Sequence, residues 1–127
     1  MKRSKIKDGT EVVGGYSRAY RVGQHVYVSG TTSADPDGNV VGADMYEQTK
    51  ETYRKIGTAL KDAGASFGDV VRFVAYATDM SKVEQFSKAH IEVLGGVDPA
   101  GTLVEVAALM KPDMLIEIEV DAIVDDG

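Results

Sequence analysis

Apolar residues recur with a helical period along two segments, and clear end signals frame the first of them. Asp44 is followed three residues later by Glu47, which is capping-box spacing, and Gly64 marks the other end. We therefore predict an amphipathic helix that opens at Asp44 and ends near Gly64. Its apolar stripe contains Met45, Tyr53, Ile56, Ala59, Leu60 and Ala63, and its solvent-facing side contains Lys50, Glu51, Arg54, Lys55, Lys61 and Asp62.

The second periodic segment predicts another amphipathic helix. Ser81 is its predicted N-cap, Glu84 stands at the third helical position, and Gly95-Gly96 stops it. Because each helix has a single apolar stripe, we expect both to lie on the same layer. The second stripe contains Val83, Phe86, Ala89, His90, Val93 and Leu94.

Alternation of apolar and polar residues predicts the strands. Gly23-Gln24 predicts a tight hairpin turn between two alternating segments, and residues 35–39 are of types that favour a turn. The predicted strands are Arg18–Val22, His25–Ser29, a short one at Val40-Val41, Val70–Thr78, Thr102–Ala108 and Leu115–Val124.

This order of elements predicts one domain over residues 1–127, an α+β two-layer sandwich with two helices on one face of the sheet. The other sheet face is left uncovered and is mixed in character, so we expect a homo-oligomer in which it packs against another subunit. The last strand shows this mixture: Ile116, Ile118, Val120 and Ala122 point to one side, and Leu115, Glu117, Glu119 and Asp121 to the other.

Charge and composition narrow the function. The chain carries 20 acidic and 14 basic residues, a formal net charge of -6, which disfavours binding to a phosphate backbone. Its one basic cluster, within residues 2–7, lies at a terminus that we expect to be frayed. The sequence has no cysteine, no apolar segment long enough to span a membrane and no signal-peptide pattern. We therefore expect a cytoplasmic protein.

The three carboxylates of the last strand are the first candidates for chemistry. Such a row is usually solvated charge that protects a sheet edge. Alternatively, one of Glu117, Glu119 and Asp121 orients or activates a water molecule in a subunit crevice, and spacing alone does not select which. Gly14-Gly15 lacks a phosphate-binding pattern, and we predict instead a bend that places Tyr16 over a cleft. The alternative is that Tyr16 is an ordinary packing residue.

The remaining polar candidates give weaker signals. His25 and His90 lack metal-ligand spacing, and His90 on an apolar stripe reads as a hydrogen-bonded core or interface histidine. Ser29-Gly30 ends a strand, where the glycine would let a ligand approach the backbone N–H groups. Gly101 likewise opens a strand, with a plain loop glycine as the alternative.

A set of segments spread over nearly the whole chain matches one known family in order: Tyr16–Gly23, Val26–Gly30, Glu47–Thr49, Ala63–Ser66, Asp69–Val71, Tyr76–Met80, Val104–Ala107 and Ile116–Glu119. Through these segments the sequence resembles the Rid (YjgF-like) family of reactive-intermediate deaminases. That resemblance implies a chorismate-mutase-like α+β fold, a homotrimer and ligand clefts between subunits.

The resemblance also implies a chemistry, the hydrolysis of an enamine, an imine or a related reactive small metabolite, with no metal or organic cofactor. Glu117 would position the water, Tyr16 would close over the ligand, and Ser29 and Gly30 would line the cleft. Backbone N–H groups near Gly101 and Thr102 would polarise the substrate.

One departure from the family pattern bears on the substrate. An arginine that clamps the substrate carboxylate follows Pro-Ala in the family motif, whereas Pro99-Ala100 is followed here by Gly101. A glycine offers only a backbone N–H in place of a bidentate guanidinium. We therefore expect a substrate other than 2-aminoacrylate and less need for an anionic group, unless Arg18 or Arg72 substitutes from another direction.

Two other functions stay open. The trimer would retain its clefts without catalysis in a small-molecule-binding protein, such as a metabolite sensor or an accessory to another enzyme. Ribonuclease or translation-inhibiting activity, reported for some relatives, is opposed by the acidic charge.

Overall fold

This computed structural model describes residues 2–125 of the chain, which contain six strands and two α-helices. The helices are α1, Met45–Asp62, and α2, Val83–Leu94. The strands are β1 Arg3–Ile6, β2 Ala19–Val22, β3 His25–Thr31, β4 Val70–Ala77, β5 Ala100–Glu105 and β6 Ile116–Ile123.

The strands form one mixed sheet in the order β1-β2-β3-β6-β4-β5. The last strand of the chain, β6, lies in the interior of the sheet and is antiparallel to both β3 and β4. Among the six strands of residues 2–125, only β4 and β5 pair in parallel, and α2 provides the crossover connection that such a pair requires. The mixed α+β sheet with two helices is therefore confirmed.

The hydrophobic core lies between the sheet and the helices, and β6 shows why. Burial alternates along this strand, with the even-numbered residues 116–122 buried and the odd-numbered residues 117–121 half-buried. The apolar stripe predicted for α1 closes the core from the other side, with Tyr53, Ile56 and Leu60 fully buried. The predicted alternation of the last strand is confirmed.

The ends of α1 also agree with the sequence prediction. The Asp44 side chain accepts a hydrogen bond from the backbone N–H of Glu47 at 2.8 Å, and the Glu47 carboxylate accepts one from the N–H of Ala43. After the helix, Gly64 adopts φ +82°, and the N–H of Ala65 returns to the carbonyl of Leu60.

A buried amide then links α1 to the central strand. The Gln48 side chain donates to the carbonyl of Asp113 and accepts from the N–H of Leu115, the residue before β6. Since both ends of this amide are bonded, the start of β6 is fixed against the helix.

Four local predictions need correction. Ser81 is not an N-cap, because Asp79 caps a 3₁₀ turn over Met80–Lys82 and accepts hydrogen bonds from the Ser81 N–H and hydroxyl. The basic N-terminal segment is not frayed, because Arg3–Ile6 pairs with β2 as an edge strand. The short strand at Val40-Val41 is reduced to a single bridge between Ala34 and Val40. The fifth strand ends at Glu105 rather than continuing to Ala108.

The sheet face away from the helices is mixed, as predicted. Cross-strand pairing brings Tyr20, Tyr27 and Asp121 side by side, and the Tyr76 hydroxyl donates to Glu119 at 2.5 Å. Tyr27 is 49% exposed in the single chain. Neither described helix is long and apolar enough to cross a membrane.

Two isoleucines on β6 test the role of this strand. Ile118 is fully buried and Ile123 is 43% exposed, so Ile118→Ala should lower the free energy of unfolding by about 2–5 kcal/mol and Ile123→Ala by less than about 1 kcal/mol. Urea denaturation of both variants measures the difference. Equal losses would contradict a core centred on β6.

Candidate functional site

The carboxylate of Glu117 lies directly over Gly30. The pairing of β3 with β6 changes register between Val28 and Thr31, and this irregularity brings the backbone of Gly30 beneath the Glu117 side chain. A Cβ at position 30 would overlap Glu117 Oε2. Any other residue at position 30 would therefore displace the carboxylate.

A buried guanidinium forms the wall beside this pair. Arg18 is only 3% exposed, and its Nη1 donates to the carbonyl of Gly30 at 2.7 Å and to the hydroxyl of Thr31 at 3.1 Å. Its Nη2 donates to the hydroxyl of Thr10 at 2.9 Å and lies 3.4 Å from the hydroxyl of Tyr16. Arg18 therefore ties strand β3 to the segment before β2.

The charge of Arg18 is balanced on its other side. Its Nε lies 3.5 Å from Asp8 Oδ1 and 3.7 Å from Glu11 Oε2. With its terminal nitrogens bonded and two carboxylates at its Nε, Arg18 has no pair of free N–H groups for a bidentate clamp. The other proposed substitute, Arg72, is exposed and pairs in register with Asp121 on the outer face.

Tyr16 borders the same pocket from the segment between β1 and β2. Its hydroxyl donates to the carbonyl of Thr10 at 3.4 Å, and the Arg18 guanidinium carbon lies 5.6 Å from its ring centroid. The ring is partly exposed. This placement suits a side chain that covers a ligand, and the long hydrogen bond to Thr10 holds it only weakly.

Lys55 is buried, so its predicted place on the solvent-facing side of α1 is wrong. It is 7% exposed, and its Nζ donates to the carbonyls of Thr32 at 3.0 Å and Ala34 at 2.7 Å. Burial lowers the pKa of the Lys55 ammonium, and the nearby Arg18 lowers it further. One sequence signal could have found it: Lys55 is seven residues after Gln48 and four before Ala59, which places all three on one helix stripe.

These groups enclose one small pocket. Glu117, Gly30, Tyr16, Arg18 and Lys55 line it, and the segment that follows β5 contributes Met110 and Lys111 at its edge. Its volume is about 90 Å³, room for a ligand of a few heavy atoms. Among residues 2–125, no three His, Asp or Glu side chains converge so as to hold a metal ion.

Burial governs the electrostatics of Glu117. It raises the pKa of the Glu117 carboxyl, and Glu119 raises it further, whereas Arg18 and Lys55 act in the opposite direction. Within residues 2–125, the Glu117 carboxylate has neither an ion pair nor a side-chain hydrogen bond. A half-buried carboxylate without a partner is available to bind and deprotonate a water molecule.

The remaining predicted site residues lie elsewhere in the single chain. The Ser29 hydroxyl donates to the carbonyl of Ser17 at 2.7 Å, and Ser29 borders a separate depression with Tyr20 and Tyr27. Gly101 and Thr102 are on β5, which β4 separates from β6. The structure thus brings Glu117, Gly30 and Tyr16 together but not Ser29, Gly101 and Thr102.

An aromatic ring fills the space beside Gly101. A Cβ there would overlap Cε1 and Cζ of Phe73, its neighbour on β4. The Phe73 ring is held in turn by His90, at 4.4 Å between centroids, and by Phe86, at 6.4 Å. Glycine at position 101 and phenylalanine at position 73 are therefore sterically complementary.

His90 has the core role predicted for it. Its Nδ1 and the Tyr53 hydroxyl are 2.6 Å apart, and burial lowers the pKa of the imidazole. His25, by contrast, is exposed and stacks on Tyr27 with 6.3 Å between centroids.

The chain is similar to known proteins over most of its length. The family model described as Endoribonuclease L-PSP matches residues 7–124. A RutC family protein of Pyrococcus abyssi is 39% identical over 108 residues, 84% of each chain. The 2-iminobutanoate/2-iminopropanoate deaminase of Homo sapiens is 32% identical over 112 residues, 87% of this chain and 81% of that protein.

Solved structures of related proteins have the same fold as this chain. A Mycobacterium tuberculosis member of the YjgF/YER057c/UK114 family is 40% identical, with a TM-score of 0.88 over 97% of this chain and 100% of that one. RidA from an Antarctic Psychrobacter is 31% identical, with a TM-score of 0.86 over 95% of this chain and 99% of that one. Both likenesses extend over the whole fold.

The burial of Glu117 predicts a stability gain on neutralisation. A carboxyl whose pKa is raised by folding stabilises the fold at low pH and loses that contribution as the pH rises from the unfolded-state pKa through the folded-state pKa. Glu117→Gln should therefore raise the free energy of unfolding at pH 7 by about 0.5–2 kcal/mol. The gain should vanish below about pH 4.

Urea denaturation from pH 3.5 to 7.5 measures this effect, with Glu84→Gln on the exposed first turn of α2 as the control. A Glu117→Gln protein that is less stable than the wild type at pH 7 would contradict an unpartnered, buried carboxylate.

The contact between Gly101 and Phe73 predicts a steric coupling. Gly101→Ala should cost about 1–3 kcal/mol, because the new Cβ meets a ring that is packed against His90. Gly68→Ala is the control, because a Cβ there meets only Ser66 Oγ at 3.7 Å. In a Phe73→Ala background the penalty at position 101 should disappear, and additive losses in this double-mutant cycle would refute the coupling.

Proposed function

This chain belongs to the Rid (YjgF-like) family, and from that premise we propose that it hydrolyses a small enamine, imine or related reactive metabolite. The observation that carries the proposal is the carboxylate of Glu117, half-buried over Gly30 with no protein partner among the described residues. We assign it the role of general base toward water in the pocket that Tyr16 borders.

The proposed reaction needs one group that accepts and returns a proton. Glu117 takes a proton from water while the oxygen attacks the carbon of the C=N bond. Return of that proton to nitrogen gives the carbinolamine R₂C(OH)NH₂. The same carboxylate then transfers the hydroxyl proton to nitrogen and the C–N bond breaks, so that R₂C=NH and H₂O give R₂C=O and NH₃. A carboxyl whose pKa is raised by burial suits both steps better than a fully solvated one.

Relatives support the reaction class but leave the substrate open. The mouse and human relatives are named 2-iminobutanoate/2-iminopropanoate deaminase, whereas the archaeal relatives are named only as RutC family proteins. Gly101, where the family motif has arginine, and the Phe73 ring beside it support a substrate other than 2-aminoacrylate.

The proposal includes a homotrimer with its clefts between subunits. In the single chain, β4 separates the strand of Gly101 and Thr102 from the strand of Glu117, so these two residues would meet the Glu117 pocket across a subunit interface. The exposed Tyr27 and Val104 on the outer sheet face give such an interface apolar contacts. We place the reaction in the cytoplasm, which a chain without cysteine allows.

Ammonia release tests this function. Imines formed in situ by amino-acid oxidases should be hydrolysed faster than in buffer, and Glu117→Gln should reduce the rate about 100-fold or more. Glu119→Gln is the matched control on the same strand and face, and it should change the rate less than about threefold, because Glu119 is bonded to Tyr76.

Two results would reject the proposal. One is turnover no faster than in buffer across the panel, with no effect of Glu117→Gln on any substrate, which would favour a non-catalytic ligand-binding protein. The other is a monomeric mass in light scattering at micromolar concentration, which would remove the intersubunit cleft. Cleavage of RNA that Glu117→Gln abolishes would instead support the activity in the family model's description.

A further inference from the structure

Lys55 is a buried ammonium whose charge no carboxylate in the described chain neutralises by contact. Its two hydrogen bonds end on main-chain carbonyls, those of Thr32 and Ala34, which are neutral acceptors. No ion pair within residues 2–125 includes it. Buried charges in proteins are normally paired, so an unpaired one points to a missing partner.

The charged groups around Lys55 do not supply that partner. Arg18 and Arg54 repel it, while Asp8 and Glu51 attract it only from a distance. Both of these carboxylates face other cations, because Asp8 lies against Arg18 and Glu51 is bonded to Arg54 at 2.6 Å. Glu117 lines the same pocket as Lys55 without forming an ion pair with it.

The geometry of the ammonium leaves one position open. A lysine ammonium has three N–H groups, and carbonyls occupy two of them. Lys55 lines the Glu117 pocket, so an anion bound there is within reach of the third. Arg18 lines the pocket as well, but its terminal nitrogens are already bonded to Gly30, Thr31, Thr10 and Tyr16.

We propose that Lys55 is the anion-binding residue of the Glu117 pocket and takes the carboxylate of a small enamine or imine. For the reacting C=N group this inference rests on the proposed function, but the contact between ammonium and carboxylate does not require turnover. The sequence predicts that the ligand has less need for an anionic group, and this assignment replaces that expectation with an anionic ligand. The anchor comes from helix α1 instead of from position 101 on β5.

The exchange has a consequence for selectivity. A guanidinium binds a carboxylate through two parallel hydrogen bonds and fixes the plane of the ligand. An ammonium acts as a point charge with a single remaining donor, so it sets the position of the anion but not its plane. Lys55 would therefore accept carboxylates at more orientations than an arginine clamp does.

Binding of an unreactive pair of probes tests the assignment. Butanoate and butanamide have the same shape and differ in charge, and neither has a carbonyl group that condenses with an amine. Wild-type protein, titrated by NMR, should bind butanoate about tenfold or more tightly than butanamide. Lys55→Met should remove that preference by weakening butanoate alone, and Lys61→Met, at the exposed end of the same helix, should leave it intact.

Two outcomes overturn the proposal. One is a wild-type protein with no preference for the carboxylate, a result that does not depend on whether any variant folds. The other is a Lys55→Met protein that keeps both its thermal unfolding transition and the wild-type preference. Partial retention in Lys55→Arg would support a charge contact.

The same variants separate this inference from the proposed function. Glu117→Gln should reduce ammonia release about 100-fold or more and keep the butanoate preference, because it removes the base and leaves the ammonium. If no imine is hydrolysed but Lys55 still selects butanoate, the proposed function fails and the anion site stands. If hydrolysis proceeds and Lys55→Met changes neither the KM for imino acids nor the butanoate preference, the anion site fails and the function stands.

Discussion

The register of β6 is the constraint on which the rest of the molecule depends. Its side chains alternate between the core and the outer face, so a slip by one residue would bury Glu117, Glu119 and Asp121 and expose the isoleucines. Because β6 lies between β3 and β4, the same register positions both neighbours. Because burial of the isoleucines in the core sets this register, it also fixes the position of Glu117 over Gly30.

Burying charge around that carboxylate costs stability, and the fold compensates unevenly. Arg18 donates to hydroxyls and to a carbonyl and forms ion pairs with two nearby carboxylates, and these contacts join the segment before β2 to the end of β3. Glu117 and Lys55 are left without charged partners by the described chain. Two charged groups without charged partners that line one small pocket are typical of a site that a ligand completes.

Local signals predicted the parts of the fold that depend on local chemistry. The capping spacing of Asp44 and the alternation of β6 each express a periodicity that one segment contains by itself. No local pattern predicts β1, because three of its four side chains are exposed and two of them are basic, and its pairing with β2 makes it a strand. Ser81 is not a cap because its own N–H and hydroxyl donate to Asp79, two residues earlier, and the α-helix begins only at Val83.

The site was harder to predict because its residues meet through tertiary contacts. Residue type predicts that Lys55 faces solvent, whereas its ammonium is buried against carbonyls of the segment after β3. Gly101 departs from the family motif, and position 101 has no space for a side chain because of Phe73, a parallel-strand neighbour far away in sequence. The Phe73 ring is braced by His90 on α2, so restoring an arginine would require repacking the layer between sheet and helix. An ammonium at position 55 requires no such change, because α1 already places it beside Glu117.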